Sequence, residues 1–218
     1  MLSEYYSDKT AYNKIGAGRR DAILSLLGQP ATVIDVGCGE GHLGETLKQK
    51  TGALVHGVDI STAAVKKAEA VLDLARVVDL DKDLPQESDG FLPTYDAIIL
   101  TEVLEHLFAP EKLLRRVKEI SDEKTLLIVT VPNILFWKNR LRIFFGHFEY
   151  AESGLMDRGH IHFFSWRSIQ DTLRESGWEV VGTAHYCPTR GTRFLARFFP
   201  GLFAYQFVLS ARNATPKN

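Results

Sequence analysis

Residues 32–44 read TVIDVGCGEGHLG, and this stretch decides the fold. Its beginning, 32–36, is apolar and β-branched, which predicts a short buried strand. A helix is predicted to begin at Gly44. A strand, a glycine-rich turn and a helix in this order are typical of nucleotide-binding doubly wound α/β sheets. Glycine has no Cβ, so such a turn bends sharply and lets a ligand touch the backbone. The glycines of the turn are Gly37, Gly39 and Gly41.

The spacing of these glycines indicates which nucleotide the turn binds. A dinucleotide-binding fingerprint would place its third glycine at position 42, which is His42. Instead, an acid precedes the first glycine by two residues, and the pattern is Asp35-x-Gly37-x-Gly39-x-Gly41. This pattern resembles motif I of the class I S-adenosylmethionine (SAM) methyltransferases. The resemblance implies SAM as the cofactor, with contacts from Asp35, Gly37, Cys38, Gly39 and Gly41.

The same resemblance implies an α/β fold. The expected architecture is a Rossmann-like, doubly wound sheet of seven strands with an antiparallel last strand, in three αβα layers. Apolar runs predict the later strands and helices at positions that suit this fold. The predicted strands are 53–59, 76–80, 95–100, 125–131, 178–185 and 203–210, and the predicted helices are 21–27, 110–120 and 166–177.

An acid closes the predicted second strand about twenty residues after the glycine turn. This acid is Asp59. An acceptor at this separation can bind both hydroxyls of a ribose. Ser61 is predicted to cap the next helix, and Ile60 to lie against the adenine. Asp59 is therefore the strongest single prediction for the cofactor.

Three further residues complete the predicted cofactor contacts. In the resembled family, an Asp accepts from the adenine amino group and the next backbone N–H meets the ring. Asp79 and Leu80 match these two positions. Thr101, at the end of the fourth strand, is the third.

Composition limits the classes of protein that fit. A chain of 218 residues is predicted to be one domain (1–218), with an N-terminal helical cap at 1–29 and an insertion at 133–163. The tyrosines of the cap, Tyr5, Tyr6 and Tyr12, are candidate cofactor or substrate contacts. A net charge of −1 provides no general field for nucleic acid or for a membrane surface. Two cysteines and no long apolar run favour a cytoplasmic protein.

The stretch 101–107, TEVLEHL, follows the predicted fourth strand. Helical spacing would place Glu102, Glu105 and His106 on one face. This face lies where open α/β sheets bind ligands. Three interpretations stay open: a metal site, a metal-free site in which His106 or Glu102 moves a proton, and a solvated helix start.

The metal interpretation rests on a resemblance. E-x-x-E-H followed by a later histidine is similar to the ubiquinone-biosynthesis O-methyltransferases and the small-RNA 3′-terminal 2′-O-methyltransferases. This likeness implies Mg²⁺, Mn²⁺ or Fe²⁺ near SAM, where a metal lowers the pKa of the acceptor oxygen. The implied ligands are Glu102, Glu105, His106 and His160.

The insertion at 133–163 alternates aromatic and basic residues. It suits a substrate lid, an interfacial membrane helix or an aromatic–basic surface for nucleic acid. An oligomer interface, as in a homodimer, is the structural alternative. The segment 190–199 (RGTRFLARFF) is also basic and apolar. It fits the lining of the substrate mouth, a contact with a membrane surface, or a packed surface helix.

The insertion and the residues after it resemble bacterial methyltransferases of the MetW-like type, whose relatives act in polysaccharide and sugar pathways. The likeness supports His160 as a functional residue. The matching residues are Pro132-Asn133, Trp137, Arg140-Leu141, Gly146, Tyr150, Asp157-Arg158, His160 and Phe163-Phe164-Ser165.

These resemblances imply an enzyme that transfers a methyl group from SAM to an oxygen, or less favourably a nitrogen, of a small-molecule or sugar/lipid-linked acceptor. Glu102, His106 and His160 are its predicted catalytic residues. Two alternatives are a SAM-binding partner protein of the MetW type and a metal-dependent RNA 2′-O-methyltransferase. The absence of a basic stripe weighs against an RNA partner.

Overall fold

The computed structural model describes residues 16–214, which form seven strands in one mixed sheet. The strand order is β3-β2-β1-β4-β5-β7-β6. This confirms the predicted Rossmann-like α/β fold. The strands are β1 (Thr32–Val36), β2 (Leu54–Asp59), β3 (Leu74–Val77), β4 (Ala97–Thr101), β5 (Leu126–Pro132), β6 (Trp178–Thr183) and β7 (Gln206–Asn213).

Strands β1 to β5 are parallel, and β7 runs antiparallel between β5 and β6. The chain order reverses at β1, whose neighbours are β2 and β4. A crevice forms at such a reversal, outside the carboxyl ends of the strands. The glycine turn after β1 and the 101–107 stretch after β4 therefore meet at one edge of the sheet.

Helices cover both faces of the sheet. Side chains of β1 alternate between two buried clusters: Ile34 and Val36 belong to one, and Val33 to the other. This alternation gives the three layers that were predicted. The helices are α1 (Ala17–Leu27), α2 (His42–Thr51), α3 (Thr62–Ala68), α4 (Pro110–Arg116), α5 (Trp137–Phe144), α6 (Trp166–Glu175), α7 (Arg190–Ala196) and α8 (Pro200–Phe203).

Several predicted boundaries were wrong. Strand β3 ends at Val77, so 78–80 lie in the loop beyond it. The helix predicted at 110–120 tightens to a 3-10 turn from Val117. Helix α2 starts at His42, two residues before Gly44, because the left-handed Gly41 already turns the chain into it. Each difference lies at an element end, where local propensity is weakest.

The prediction of a helical face at 102–106 was also wrong. Glu102 leaves β4 with a φ of 55°, the only positive φ of a non-glycine residue within 16–214. A single 3-10 turn, Leu104–His106, follows, closed by a hydrogen bond from the His106 N–H to the Val103 carbonyl at 3.0 Å. Glu102 therefore lies outside the turn that carries Glu105 and His106.

The insertion at 133–163 contains α5 and a loop that returns to the sheet. The Asn133–Phe164 bridge closes its base, and the Asn133 amide donates to the Ala204 carbonyl at 2.7 Å. No helix within residues 16–214 combines the length and the apolar character needed to cross a bilayer.

The N-terminal cap is described from residue 16 onward. Helix α1 runs beside β7, and its Gly18 lies so close to the Tyr186 ring that a Cβ there would stand 3.0 Å from it. The candidate tyrosines Tyr5, Tyr6 and Tyr12 lie outside the described residues.

Candidate active site

A cavity of about 330 Å³ opens at the carboxyl ends of the central strands. Its size is that of a small-molecule site. The glycine turn lines one end, and the residues after β4 line the other. Predicted residues that line it are Asp35, Gly37, Cys38, Gly39, Asp59, Ile60, Asp79, Leu80, Thr101, Glu102, His106 and His160.

The glycine turn is held by the neighbouring strand. The N–H groups of Gly37 and Cys38 both donate to the Val58 carbonyl, at 2.8 and 2.9 Å. A Cβ on Gly37 would lie 2.3 Å from a Val103 methyl, and its φ is 85°. Glycine is therefore required here by both packing and backbone conformation. Gly41, by contrast, is not among the lining residues and serves as the left-handed N-cap of α2.

Asp59 ties the turn to the next helix. One carboxylate oxygen accepts from the Gly39 N–H and the other from the Ser61 N–H, both at 2.8 Å. Burial raises the pKa of Asp59, although the hydrogen bonds from these backbone N–H groups lower it in part. Each oxygen keeps a further lone pair, so the carboxylate can still accept from a ligand.

Asp35 is a second buried carboxyl group on the cavity wall. Burial, and then the nearby Asp59 charge, raise its pKa to about 7. Its Oδ1 atom is buried and has no hydrogen-bond partner among the described residues. Burying a charge without a partner is costly, so this site favours a ligand that brings positive charge or hydrogen-bond donors.

The loop after β3 supplies another part of the wall. Its Leu80 offers an apolar surface, as does Ile60 directly after β2. The Asp79 carboxylate pairs with Lys82 at 2.8 Å and accepts from the Asp81 N–H. Thr101 lies across the cavity at the end of β4. Its buried hydroxyl has no hydrogen-bond partner within residues 16–214.

Glu102 lies at the entrance to the cavity, which we call the mouth, and is the centre of a polar network. Its carboxylate forms an ion pair with Arg19 of α1 and accepts a hydrogen bond from the Gln206 side chain of β7. Residues from three distant parts of the chain meet here. A left-handed glutamate is uncommon, and its conformation aims the carboxylate at these two partners.

Glu105, His106 and His160 form a separate cluster beside this network. A carboxylate oxygen and one nitrogen from each imidazole all lie within 4.8 Å of one another. The two rings are 4.8 Å apart between centroids. Of the four predicted metal ligands, the structure brings these three together and places Glu102 with Arg19 instead.

Glu105 is the most unusual member of the cluster. Its side chain is fully buried, and neither carboxylate oxygen has a hydrogen-bond partner among residues 16–214. Burial raises the pKa of this carboxyl group well above its usual range, and the nearby Glu102 raises it further. Burying a charged carboxylate in an apolar interior destabilises the fold unless a cation or a proton accompanies it.

The His106 ring has a defined orientation. Its Nδ1 lies 2.9 Å from the Gly159 carbonyl oxygen, which only accepts, so Nδ1 carries the proton. The other ring nitrogen, Nε2, is the atom through which this imidazole would exchange a proton or bind a metal ion. Asp157 supports the same loop, because its carboxylate accepts from the Gly159 N–H at 2.7 Å.

Several residues that line the cavity at its mouth were not predicted from the sequence. Arg19 carries no local signal beyond its charge, and Tyr205 none at all. Gln206 is a buried polar residue directly before the apolar run 207–209 of β7, which could have drawn attention to it. The tip of the insertion also reaches the cavity through Ser153, Gly154 and Leu155. Its role as a lid stays a prediction.

The chain is similar to known methyltransferases. A family model described as a methyltransferase domain matches residues 11–183. Over 92 residues the chain is 37% identical to the ubiquinone biosynthesis O-methyltransferase of Paraburkholderia xenovorans, which covers 41% of this chain and 38% of that protein. An uncharacterized protein of Methanocaldococcus jannaschii is 29% identical over 84% of this chain and 78% of its own length.

The fold has close counterparts among solved structures. The magnesium protoporphyrin IX methyltransferase of Synechocystis PCC 6803, solved with bound S-adenosylhomocysteine, superimposes with a TM-score of 0.67 at 19% identity, covering 98% of each chain. The chain spans about two fifths of the length of the ubiquinone-pathway relatives it matches. With the family model matching most of its length, the chain belongs to the class I SAM-dependent methyltransferase domain family.

Proposed function

We propose that this chain transfers a methyl group from SAM to an oxygen of a small-molecule or sugar/lipid-linked acceptor. One observation carries the proposal: the glycine turn and Asp59 share a single cavity with His106 and His160. A cofactor held at one end of this cavity would face two imidazoles at the other. O-Methyltransferases among the relatives favour oxygen over nitrogen.

The cofactor end suits SAM chemically. SAM, when bound, supplies a methyl group on a sulfonium and carries an ammonium. Asp35 and Asp59 provide buried carboxylates that complement this positive charge, and Ile60 and Leu80 provide apolar surface for a base. Gly39 has no side chain, so its backbone can lie directly against the cofactor.

The acceptor end must position an oxygen and remove its proton. The Gly159 carbonyl anchors Nδ1 of His106, and we propose Nε2 of the same ring as the atom that takes this proton. His160 lies beside it and lines the same wall. Alignment of the acceptor and exclusion of water account for much of the rate in such a displacement.

The cluster also fits a divalent cation. The observation that supports this is the buried Glu105 carboxylate, whose oxygens have no other partner in the described chain. Glu105, His106 and His160 would hold the ion, a donor set that suits Mn²⁺, Fe²⁺ or Mg²⁺. A bound cation would lower the pKa of the acceptor hydroxyl.

Methyl transfer can be tested with tritiated methyl-SAM and three acceptor classes: a soluble catechol, nucleotide sugars and a bacterial lipid extract. We expect one class to gain label that resists mild alkali, as an ether does. In His160→Ala, turnover should fall at least about hundredfold, while the SAM dissociation constant changes less than threefold. The nearly unchanged SAM dissociation constant shows that the variant still folds.

Two results would contradict this proposal. If the wild type binds SAM but labels no acceptor class above a heat-inactivated control, the chain acts as a SAM-binding partner protein. If total RNA, offered as a fourth acceptor, gains label instead, the acceptor assignment is wrong.

SAM binding should strengthen as pH rises. The pKa of Asp35 is about 7 in the free protein, so this carboxyl group is mostly protonated at pH 6 and mostly charged at pH 7.5. If only the charged form attracts the cationic cofactor, the affinity rises up to about eightfold over this interval. Calorimetric titrations in matched buffers measure it.

Asp35→Asn provides the control for this pH dependence. The amide keeps the shape of the side chain and does not titrate, so its SAM affinity should be weak and nearly constant from pH 6 to 7.5. An unchanged slope in the variant would mean that another group titrates.

A further inference from the structure

Two exposed aromatic–basic segments stand outside the active site, and the proposed methyl transfer does not use them. The first is 137–150, which contains α5, and the second is 190–199, which contains α7. Together we call them the aromatic–basic face. Its strongly exposed aromatic side chains are Phe144 (80%), Phe145 (71%), Phe148 (54%), Phe194 (60%), Phe198 (66%) and Phe199 (62%).

The two segments lie next to each other in the fold. Arg140 of α5 donates to the Leu135 carbonyl at 2.7 Å and to the Gly201 carbonyl at 3.3 Å. Gly201 belongs to α8, which begins directly after Phe199. The Asn133 amide also donates to Gly201, at 3.2 Å. These bonds join the bases of both segments, although residues 151–189 separate them in sequence.

Positive charge predominates on this face. The stretches 137–150 and 190–199 hold six Lys and Arg residues and one acid, Glu149, in a chain whose net charge is −1. Arg142 pairs with Glu149 at 3.3 Å, and Lys138 stands over the Trp137 ring. Arg190, Arg193 and Arg197 are exposed in the same segment as Phe194, Phe198 and Phe199. A surface of this kind complements a negatively charged one.

Both segments adjoin the cavity mouth. Ser153, Gly154 and Leu155, which follow the first segment, line the cavity, and so do Tyr205 and Gln206, which follow the second. Whatever binds the aromatic–basic face is therefore brought to the acceptor entrance.

We infer that the aromatic–basic face binds the surface of a lipid bilayer that contains anionic lipids. Phenylalanines of this kind insert at the boundary between headgroups and acyl chains, while Arg and Lys pair with lipid phosphates. Charge complementarity identifies the occupant, because six cations against a single acid, Glu149, match a sheet of anionic headgroups. It also explains how a chain without a described spanning helix could reach a lipid-linked acceptor.

Cosedimentation with sucrose-loaded vesicles tests the inference. The vesicles are phosphatidylglycerol mixed with phosphatidylcholine, or phosphatidylcholine alone. We expect binding to the anionic vesicles, weaker binding to the neutral ones, and a loss on raising NaCl from 0.1 to 0.5 M. The double variants Phe144→Ser/Phe145→Ser and Phe198→Ser/Phe199→Ser should each weaken binding at least about tenfold.

Val181→Ser is the matched control, since Val181 is 55% exposed on the edge strand β6, outside both segments. Its vesicle affinity should stay within twofold of the wild type. SAM affinity, measured for every variant, should stay within threefold, which shows that each is folded. Because vesicle binding needs no methyl acceptor, this inference and the proposed function can fail separately.

Two outcomes would overturn the inference. One is that the wild type binds neither kind of vesicle, or that both double variants bind as well as it does. The other is that the wild type sediments as a dimer which the same substitutions dissociate, without binding vesicles. The face would then be an interface between two copies of this chain.

Discussion

Replacing Asp59 by alanine is expected to weaken SAM binding at least about hundredfold. The buried carboxylate holds the Gly39 and Ser61 N–H groups at 2.8 Å, so its loss frees the turn that must receive the cofactor. It also removes the proposed acceptor for the ribose hydroxyls. Hydrogen bonds to a charged group contribute about 1.5–3 kcal/mol each. Losing the two proposed bonds from the ribose hydroxyls therefore accounts for the expected change in SAM affinity. Isothermal titration with SAM measures it.

Asp73→Ala separates this effect from a general loss of stability. Asp73 also bonds a strand N–H, that of Val55 at 2.7 Å, and pairs with Lys48 at 2.8 Å, but it does not line the cavity. Its SAM affinity should stay within threefold of the wild type. If Asp59→Ala binds SAM as tightly as this control does, the cofactor assignment is wrong.

Replacing Glu105 by glutamine is expected to weaken Mn²⁺ binding at least about hundredfold. The amide has nearly the same shape but lacks the negative charge that makes a carboxylate a strong ligand for hard cations. His106 and His160 alone would leave two ligands for the ion. Electron paramagnetic resonance of free Mn²⁺ during titration measures the affinity without any methyl acceptor.

Glu102→Gln provides the control for the metal site. Glu102 pairs with Arg19 and Gln206 rather than with the cluster, so its replacement should change the Mn²⁺ affinity less than threefold. Thermal unfolding of both variants checks that they fold. Equal Mn²⁺ affinities in the wild type and Glu105→Gln, or no binding by the wild type, would contradict the metal site and leave the histidines as proton acceptors.

Patterns over short stretches predicted the fold and the cofactor end. The glycine turn, the buried run before it and Asp59 lie within 28 residues. Their geometry depends on backbone sterics and neighbouring-strand hydrogen bonds, which recur wherever this spacing occurs. For the same reason, Asp35, Asp59, Asp79 and Thr101 line the cavity at the positions that the sequence indicated.

The acceptor end depended on the tertiary structure. A helical spacing placed Glu102 beside Glu105, but the left-handed Glu102 backbone separates them. Its partners, Arg19 and Gln206, are 83 and 104 residues away in sequence. The cluster likewise forms only when the loop carrying Gly159 and His160 folds back onto His106.

The sequence by itself therefore determined the sheet, the glycine turn and the acid that closes β2, because each follows from local periodicity and backbone conformation. Only the tertiary structure decided which acid joins the two histidines, how Arg19 reaches the mouth, and that two aromatic–basic segments share one face. These features are contacts between distant segments. Their geometry follows from how the layers pack, and no local pattern encodes it.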